Sequence, residues 1–219
     1  MKDFILVLAG PSGVGKTTVA DALTLREPRF RMTRSHTTRA RRGDGRDDEY
    51  IYVTREEFLK LVSLGEMLEY TEYSGTLYGT SKAEIFSILS EGNIPLLVLD
   101  YNGVRSLKSQ SLGSPVISVY IYASLGTAKE RLVKRAGIST GSADTSALTD
   151  KRHSVNVADY LDIKSRVGTF DFMVENASLD TAVDTVLSLL ESPHPFELQS
   201  EDYKSRIADK LYQDALNFK

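Results

Sequence analysis

The octapeptide Gly10-Pro-Ser-Gly-Val-Gly-Lys-Thr17 follows directly on an apolar run, Phe4 to Ala9, and leads into helical apolar spacing from Val14 to Leu25. An apolar run without alternation reads as a strand buried on both faces, and so as a member of a parallel sheet covered by helices. The glycines let successive backbone N–H groups turn inward, and the amino end of the helix adds positive potential, so the loop can cradle phosphate. In the pattern G-x-x-x-x-G-K-[ST], the lysine reaches the β and γ oxygens of a nucleoside triphosphate and the hydroxyl holds Mg²⁺. Gly10, Pro11, Ser12, Gly13, Val14, Gly15, Lys16, Thr17 and Thr18 are therefore the expected ATP-binding residues, with Thr17 as the Mg²⁺ ligand. A plain glycine turn is the bland alternative, and the full pattern between strand and helix weighs against it.

Ile94 to Asp100, Val116 to Ile121 and Phe170 to Val174 read as further buried strands, with helices over Lys82 to Ser90, Thr127 to Arg135 and Leu179 to Leu190. That alternation predicts an α/β fold with a central parallel sheet flanked by helices, its core formed by 1–32, 82–122 and 168–195. From Thr33 the chain turns polar and arginine-rich, then carries strand-like Tyr50-Ile-Tyr-Val53 and an amphipathic helix, Arg55 to Leu64. Thr54 opens that helix with Glu57 at capping-box distance, and the whole predicts an inserted subdomain over 33–81. Gly137 to Thr149 is rich in Gly, Ser and Thr and predicts a flexible lid within 123–167. Residues 196–219 form a C-terminal helical extension whose stripe of Tyr203, Ile207, Leu211 and Leu216 packs within the chain or joins two subunits.

Composition removes whole classes of chemistry. There are no cysteines, which excludes disulfides, thiolate metal sites and cysteine nucleophiles, and His36, His153 and His194 are not at helical metal-ligand spacing. A net charge of -3 argues against nucleic acid as a partner. The longest apolar runs are too short for a bilayer and no secretory leader pattern opens the chain, so a cytoplasmic protein without membrane partners is expected.

Two polar segments carry the rest of the chemistry: Ser35-His-Thr-Thr-Arg-Ala-Arg-Arg-Gly-Asp-Gly-Arg-Asp-Asp-Glu-Tyr50 and Gly65-Glu-Met-Leu-Glu-Tyr-Thr-Glu-Tyr-Ser-Gly-Thr-Leu-Tyr-Gly-Thr80. Arg39, Arg42, Tyr50 and Tyr78 can supply the forked cations and hydroxyls that hold a 5′-monophosphate. A carboxylate such as Glu69 can accept from guanine N1–H and its exocyclic amine, whereas adenine offers an acceptor at N1 and no 2-amino group. Taken singly, the charges read equally well as a self-paired loop and the tyrosines as strand packing. Asp100 ends a strand, where it can orient metal-bound water or meet an acceptor.

Together with the phosphate loop, Asp100-Tyr-Asn-Gly-Val-Arg105 and the Arg131 to Arg135 helix, these segments resemble the guanylate kinase family up to about Leu190. The resemblance implies a P-loop NTPase fold with an acceptor-binding subdomain and a lid, and Mg²⁺-dependent in-line phosphoryl transfer from ATP to GMP or dGMP. It implies GMP binding by Ser35, Arg39, Arg42, Asp44, Tyr50, Glu69, Tyr78, Thr80 and Asp100, and catalysis by Lys16, Arg39, Arg131, Arg135 and Arg152. On the bland reading Arg131 and Arg135 are exposed i, i+4 charges. Hinges are expected near Ser81 and Gly168, and the protein is expected as a monomer or homodimer. The sequence departs from the family in several places: Val98 stands where an acidic residue is usual, His36 where a small residue is commoner, and the 137–150 stretch is longer. The interval from the arginines to Tyr50 is one residue shorter. A same-fold kinase with another phosphorylated acceptor and a non-catalytic guanylate-kinase-like protein-binding module are the alternatives, the second disfavoured by the intact Lys16 and Thr17.

Overall fold

A computed structural model describes residues 3–41, 50–73, 75–139, 145–192 and 199–218. Its centre is β1 (Ile5–Ala9), every residue of which is buried. β1 pairs in parallel with β7 (Ile94–Val98) on one side and β8 (Val116–Tyr122) on the other, placing Leu8 opposite both Val98 and Val119. β2 (Phe30–Met32) and β9 (Phe172–Glu175) complete a five-stranded parallel sheet in the order β2-β7-β1-β8-β9. Alternation along β1 divides the core in two. Leu6 and Leu8 pack with α1 (Lys16–Arg26) and α7 (Leu179–Glu191), while Ile5, Val7 and Ala9 pack with α4 (Tyr101–Lys108), α6 (Thr145–Arg166) and α8 (Glu201–Leu216). Helices on both faces are what a fully apolar parallel strand requires.

A second sheet, in the order β4-β3-β6-β5, lies between β2 and α3 (Lys82–Ser90) in the chain. β3 (Ser35–Thr37) runs parallel to β4 (Tyr50–Tyr52) and antiparallel to β6 (Thr76–Ser81), which forms a hairpin with β5 (Met67–Tyr73). α2 (Arg55–Ser63) covers it with Phe58 against Met67 and Leu77, and the Thr54/Glu57 capping box read from the sequence is present. At the junction of the two sheets Glu84, buried at the start of α3, takes the Arg34 guanidinium through both carboxylate oxygens at 3.2 and 3.1 Å and accepts the Arg34 backbone N–H at 3.0 Å.

The stretch expected as a Gly/Ser/Thr-rich lid segment is helical at both ends: α5 (Leu125–Ser139) runs into it and α6 begins at Thr145. The buried face of α6 is Thr149, His153, Asn156, Tyr160 and Ile163, a helical stripe whose first three members are polar. That polarity leaves no apolar periodicity to mark the helix in the sequence. The extension packs within the chain, on a face rotated from the expected one: Lys204, Ala208, Leu211 and Ala215 are buried, while Tyr203 and Leu216 stay exposed. The Lys204 stem lies in the core because its ammonium donates to the Phe170 carbonyl at 3.0 Å. Asp214 accepts the Leu125 N–H, the first of α5, at 2.7 Å. Gln199 completes the β9 edge, accepting the Met173 N–H at 2.7 Å and donating to the Met173 carbonyl at 3.0 Å. Among the described residues no helix is long and apolar enough to cross a membrane.

Candidate active site

The loop between β1 and α1 is glycine by steric necessity. Gly10 has φ 136°, and a Cβ there would stand 2.1 Å from the Ile121 carbonyl oxygen; Gly15 has φ 95°, and its Cβ would stand 2.5 Å from the Asn176 side-chain nitrogen. The loop is tied down from outside by amides. Asn176 donates to the Val14 carbonyl at 2.7 Å, and Asn156 both accepts the Ser12 N–H at 3.0 Å and donates to the Ser12 carbonyl at 2.8 Å. Neither asparagine is visible as a functional residue in the sequence, because each acts on backbone far away in the chain. Lys16 folds over the loop, donating to the carbonyls of Gly10 and Pro11 at 2.7 and 2.8 Å. Burial pulls its pKa down to about 8, against the opposing pull of the Asp159 and Asp100 carboxylates.

Arg131, Arg135 and Arg152 line one cavity of about 460 Å³ with Ser12, Gly13 and Gly15 to Thr18. Arg131 is not a free helix charge, since it donates to the Val14 carbonyl at 3.1 Å and the Asn176 carbonyl at 3.0 Å. Lys16 also borders a second cavity, lined by Gly10 to Ser12, Val98 to Asn102, Asp159 and Arg166. Asp159, whose pKa burial raises against the opposing pull of Arg166, pairs with that arginine at 3.0 Å and carries no motif in the sequence.

Across Val98 and Asp100 lies a third cavity, of about 500 Å³, lined by Ser35, Glu69, Tyr78, Gly79 and Asp100 among others. Glu69 on β5 stands opposite Thr80 on β6, and the buried Thr80 hydroxyl donates to its carboxylate at 2.9 Å. Burial raises the Glu69 pKa, the Thr80 hydrogen bond partly offsetting it. Asp100 caps α4 by accepting the Gly103 N–H at 2.8 Å, which fixes its carboxylate at the border of two cavities. Arg39 donates to the Tyr52 hydroxyl at 3.3 Å and lies 4.8 Å over the Tyr50 ring, which meets Tyr78 edge-on at 6.3 Å. Its buried Nε has no partner. Ser35, Tyr50 and Thr80 share a fourth cavity with Thr17 and Asp21. His36 lines none of these four; its charged neighbours are Glu84 and Arg34, and burial lowers its pKa. Arg42 and Asp44 lie outside the described residues.

The donors beside Lys16 that suit a hard cation are oxygens, the Thr17 hydroxyl and the Asp100 and Asp159 carboxylates. Among the described residues no cluster of three or more His, Cys, Asp or Glu could hold a metal by itself. This set fits Mg²⁺ carried by nucleotide phosphates, which takes few protein ligands.

A parallel sheet whose central strand opens into a glycine loop, with lysine and threonine heading the next helix, puts the chain among the P-loop NTPases. The sequence matches the family described as "Guanylate kinase" over residues 2–193, and the chain belongs to that family. It is 34% identical over 195 residues to a guanylate kinase of Cereibacter sphaeroides, covering 87% of each chain. With the guanylate kinase of Homo sapiens it shares 35% over 179 residues, 81% of this chain and 87% of the human one. The crystal structure of guanylate kinase from Anaplasma phagocytophilum superposes with a TM-score of 0.59 at 27% identity, covering 86% of this chain and 84% of that one. α8 lies beyond the matched residues.

Proposed function

We propose that this chain transfers the γ-phosphoryl group of ATP to the 5′-phosphate of GMP or dGMP, yielding ADP and GDP or dGDP. The carrying observation is the Glu69–Thr80 pair, a buried carboxylate held at 2.9 Å by a hydroxyl in a cavity that shares Asp100 with the one beside Lys16. In this reading Glu69 accepts from guanine N1–H and the 2-amino group, with Ser35 and Thr80 on the base edge. Arg39, Arg42, Tyr50 and Tyr78 hold the acceptor phosphate, with Asp44 and Asp100 completing the acceptor site. An acceptor phosphate oxygen attacks the γ-phosphorus as the bond to the β-bridging oxygen breaks, so the protein supplies position and positive charge and no nucleophile. Lys16 follows the γ oxygens, and Arg131, Arg135 and Arg152 meet charge on the phosphates from the opposite wall. Mg²⁺, when bound with ATP, neutralises β and γ charge; Thr17 and Asp100 would hold it. Residues 33–81 act as the acceptor-binding unit and 123–167 as the cover over ATP, and the reaction belongs to the cytoplasm, with neither nucleic acid nor membrane involved.

The test is a coupled ADP-release assay with Mg·ATP against GMP, dGMP, AMP, CMP and UMP, with Lys16→Ala as control. Turnover confined to the guanine nucleotides and lost in the variant is expected. No turnover with any monophosphate, or equal turnover with AMP, overturns the assignment.

A further inference from the structure

We infer that Asn156 is a positioning residue that latches helix α6 onto the phosphate loop and so sets the loop for ATP. Its side-chain amide meets the Ser12 backbone as a neighbouring strand would, one oxygen accepting the N–H at 3.0 Å and the nitrogen donating to the carbonyl at 2.8 Å. Asn156 is 0% exposed, so water cannot replace either bond. Ser12 is the third residue of the glycine loop, and with its N–H and its carbonyl both held, neither of the two peptide planes that meet at it can rotate to turn its hydrogen-bonding group elsewhere.

The latch also aligns what α6 carries. Arg152 stands one turn before Asn156 and lines the phosphate cavity with Arg131 and Arg135. Asp159 stands three residues after it, lines the cavity beside Lys16, and is one of the two carboxylates that oppose the loss of the Lys16 charge. Residues at i, i+4 and i+7 share one helix face, so a single amide fixes the height of a cation and a carboxylate over the loop. α6 is also braced by the C-terminal segment, through Lys164 on Asp209 of α8 at 2.6 Å and His153 edge-on to Phe218 just past that helix. The pair at Ser12 is the contact that carries this bracing to the nucleotide.

The inference takes ATP as the loop's ligand, as the proposed function does, and needs no particular acceptor. Its test therefore begins with equilibrium titration of ATP into wild type, Asn156→Ala and Asn156→Asp, followed by steady-state kinetics and thermal unfolding. Asn156→Ala should weaken ATP binding about tenfold or more. The KM for ATP should rise and kcat fall while the KM for GMP stays within twofold. Asn156→Asp keeps the acceptor for the Ser12 N–H but sets a carboxylate oxygen against the Ser12 carbonyl and adds negative charge near the phosphates, so it should be worse than alanine for ATP. Ser154→Ala, on the exposed side of the same helix, should match wild type. ATP affinity within twofold of wild type in both Asn156 variants overturns the inference. So does a loss of ATP and GMP affinity in equal proportion alongside a lowered Tm, the mark of a merely structural residue. Failure of the guanylate kinase reading would show separately, as wild-type protein that binds ATP and does not turn over GMP.

Discussion

Replacing Glu69 with glutamine should damage GMP binding and stabilise the empty protein at once. One Glu69 carboxylate oxygen takes the Thr80 hydroxyl at 2.9 Å, and the residue lines the cavity. A glutamine keeps one acceptor, which Thr80 already occupies, and presents an NH₂ where guanine brings N–H donors of its own. Loss of a hydrogen bond to a charged group costs about 1.5–3 kcal/mol, or a rise of about tenfold to about a hundredfold in the KM for GMP. The KM for ATP should not move. Stability changes the other way. Burial raises the Glu69 pKa in the folded protein, so the stability this group contributes is full below the usual glutamate value of 4.5 and is lost as pH rises through the raised one. Glutamine carries no such cost, so without nucleotide Glu69→Gln should unfold at a higher temperature than wild type at pH 7, with the gap closing in acid. Coupled kinetics with both substrates varied, and thermal unfolding at pH 4 and pH 7, measure both halves. A KM for GMP within twofold of wild type, or a rise shared equally by ATP, would refute the role given to Glu69.

Two further outcomes follow from the same geometry. Burial pulls the Lys16 pKa down to about 8 and a bound triphosphate favours its charged form, so ATP binding should take up a proton once the pH exceeds about 8 and weaken from there upward; titration calorimetry in two buffers of different ionisation enthalpy detects the uptake. Asp214→Ala removes the acceptor of the Leu125 N–H at 2.7 Å while the Ser124 cap of α5 stays in place, and should cost about 1 kcal/mol in urea unfolding.

The parts of the fold legible in the sequence are those whose cause is local. β1 and β7 are continuous apolar runs and β8 is one broken only by Ser118, and α2 announces itself through Thr54 and Glu57, a pair that bond to each other. β3, three residues of Ser-His-Thr, has no such signature, because its pairing with Gly79 and Tyr78 is settled by distant chain. α4 was obscured by Gly103, which the structure uses as the donor to Asp100. The site divides the same way. Lys16, Arg39, Glu69 and Tyr78 stand in motifs whose chemistry can be read from residue type, whereas Asn156, Asn176, Tyr52 and Asp159 matter through a partner that only folding brings near, for Asp159 the distant Lys16. An asparagine in a helix is unremarkable until the carbonyl it meets is known.

Gln199 bonds with its side chain to both backbone groups of Met173 on the outer strand β9. Synthesis runs from the amino terminus, so every strand of the sheet leaves the ribosome before the residue that closes its edge. Until Gln199 and α8 arrive, a nascent chain holding the whole family-matched region presents Met173 with an open N–H and carbonyl, the template on which unfinished sheets pair with one another. The segment made after the sheet thus acts as its terminator, and a chain cut short before Gln199 would keep the proposed catalytic residues and lose the guard against self-association.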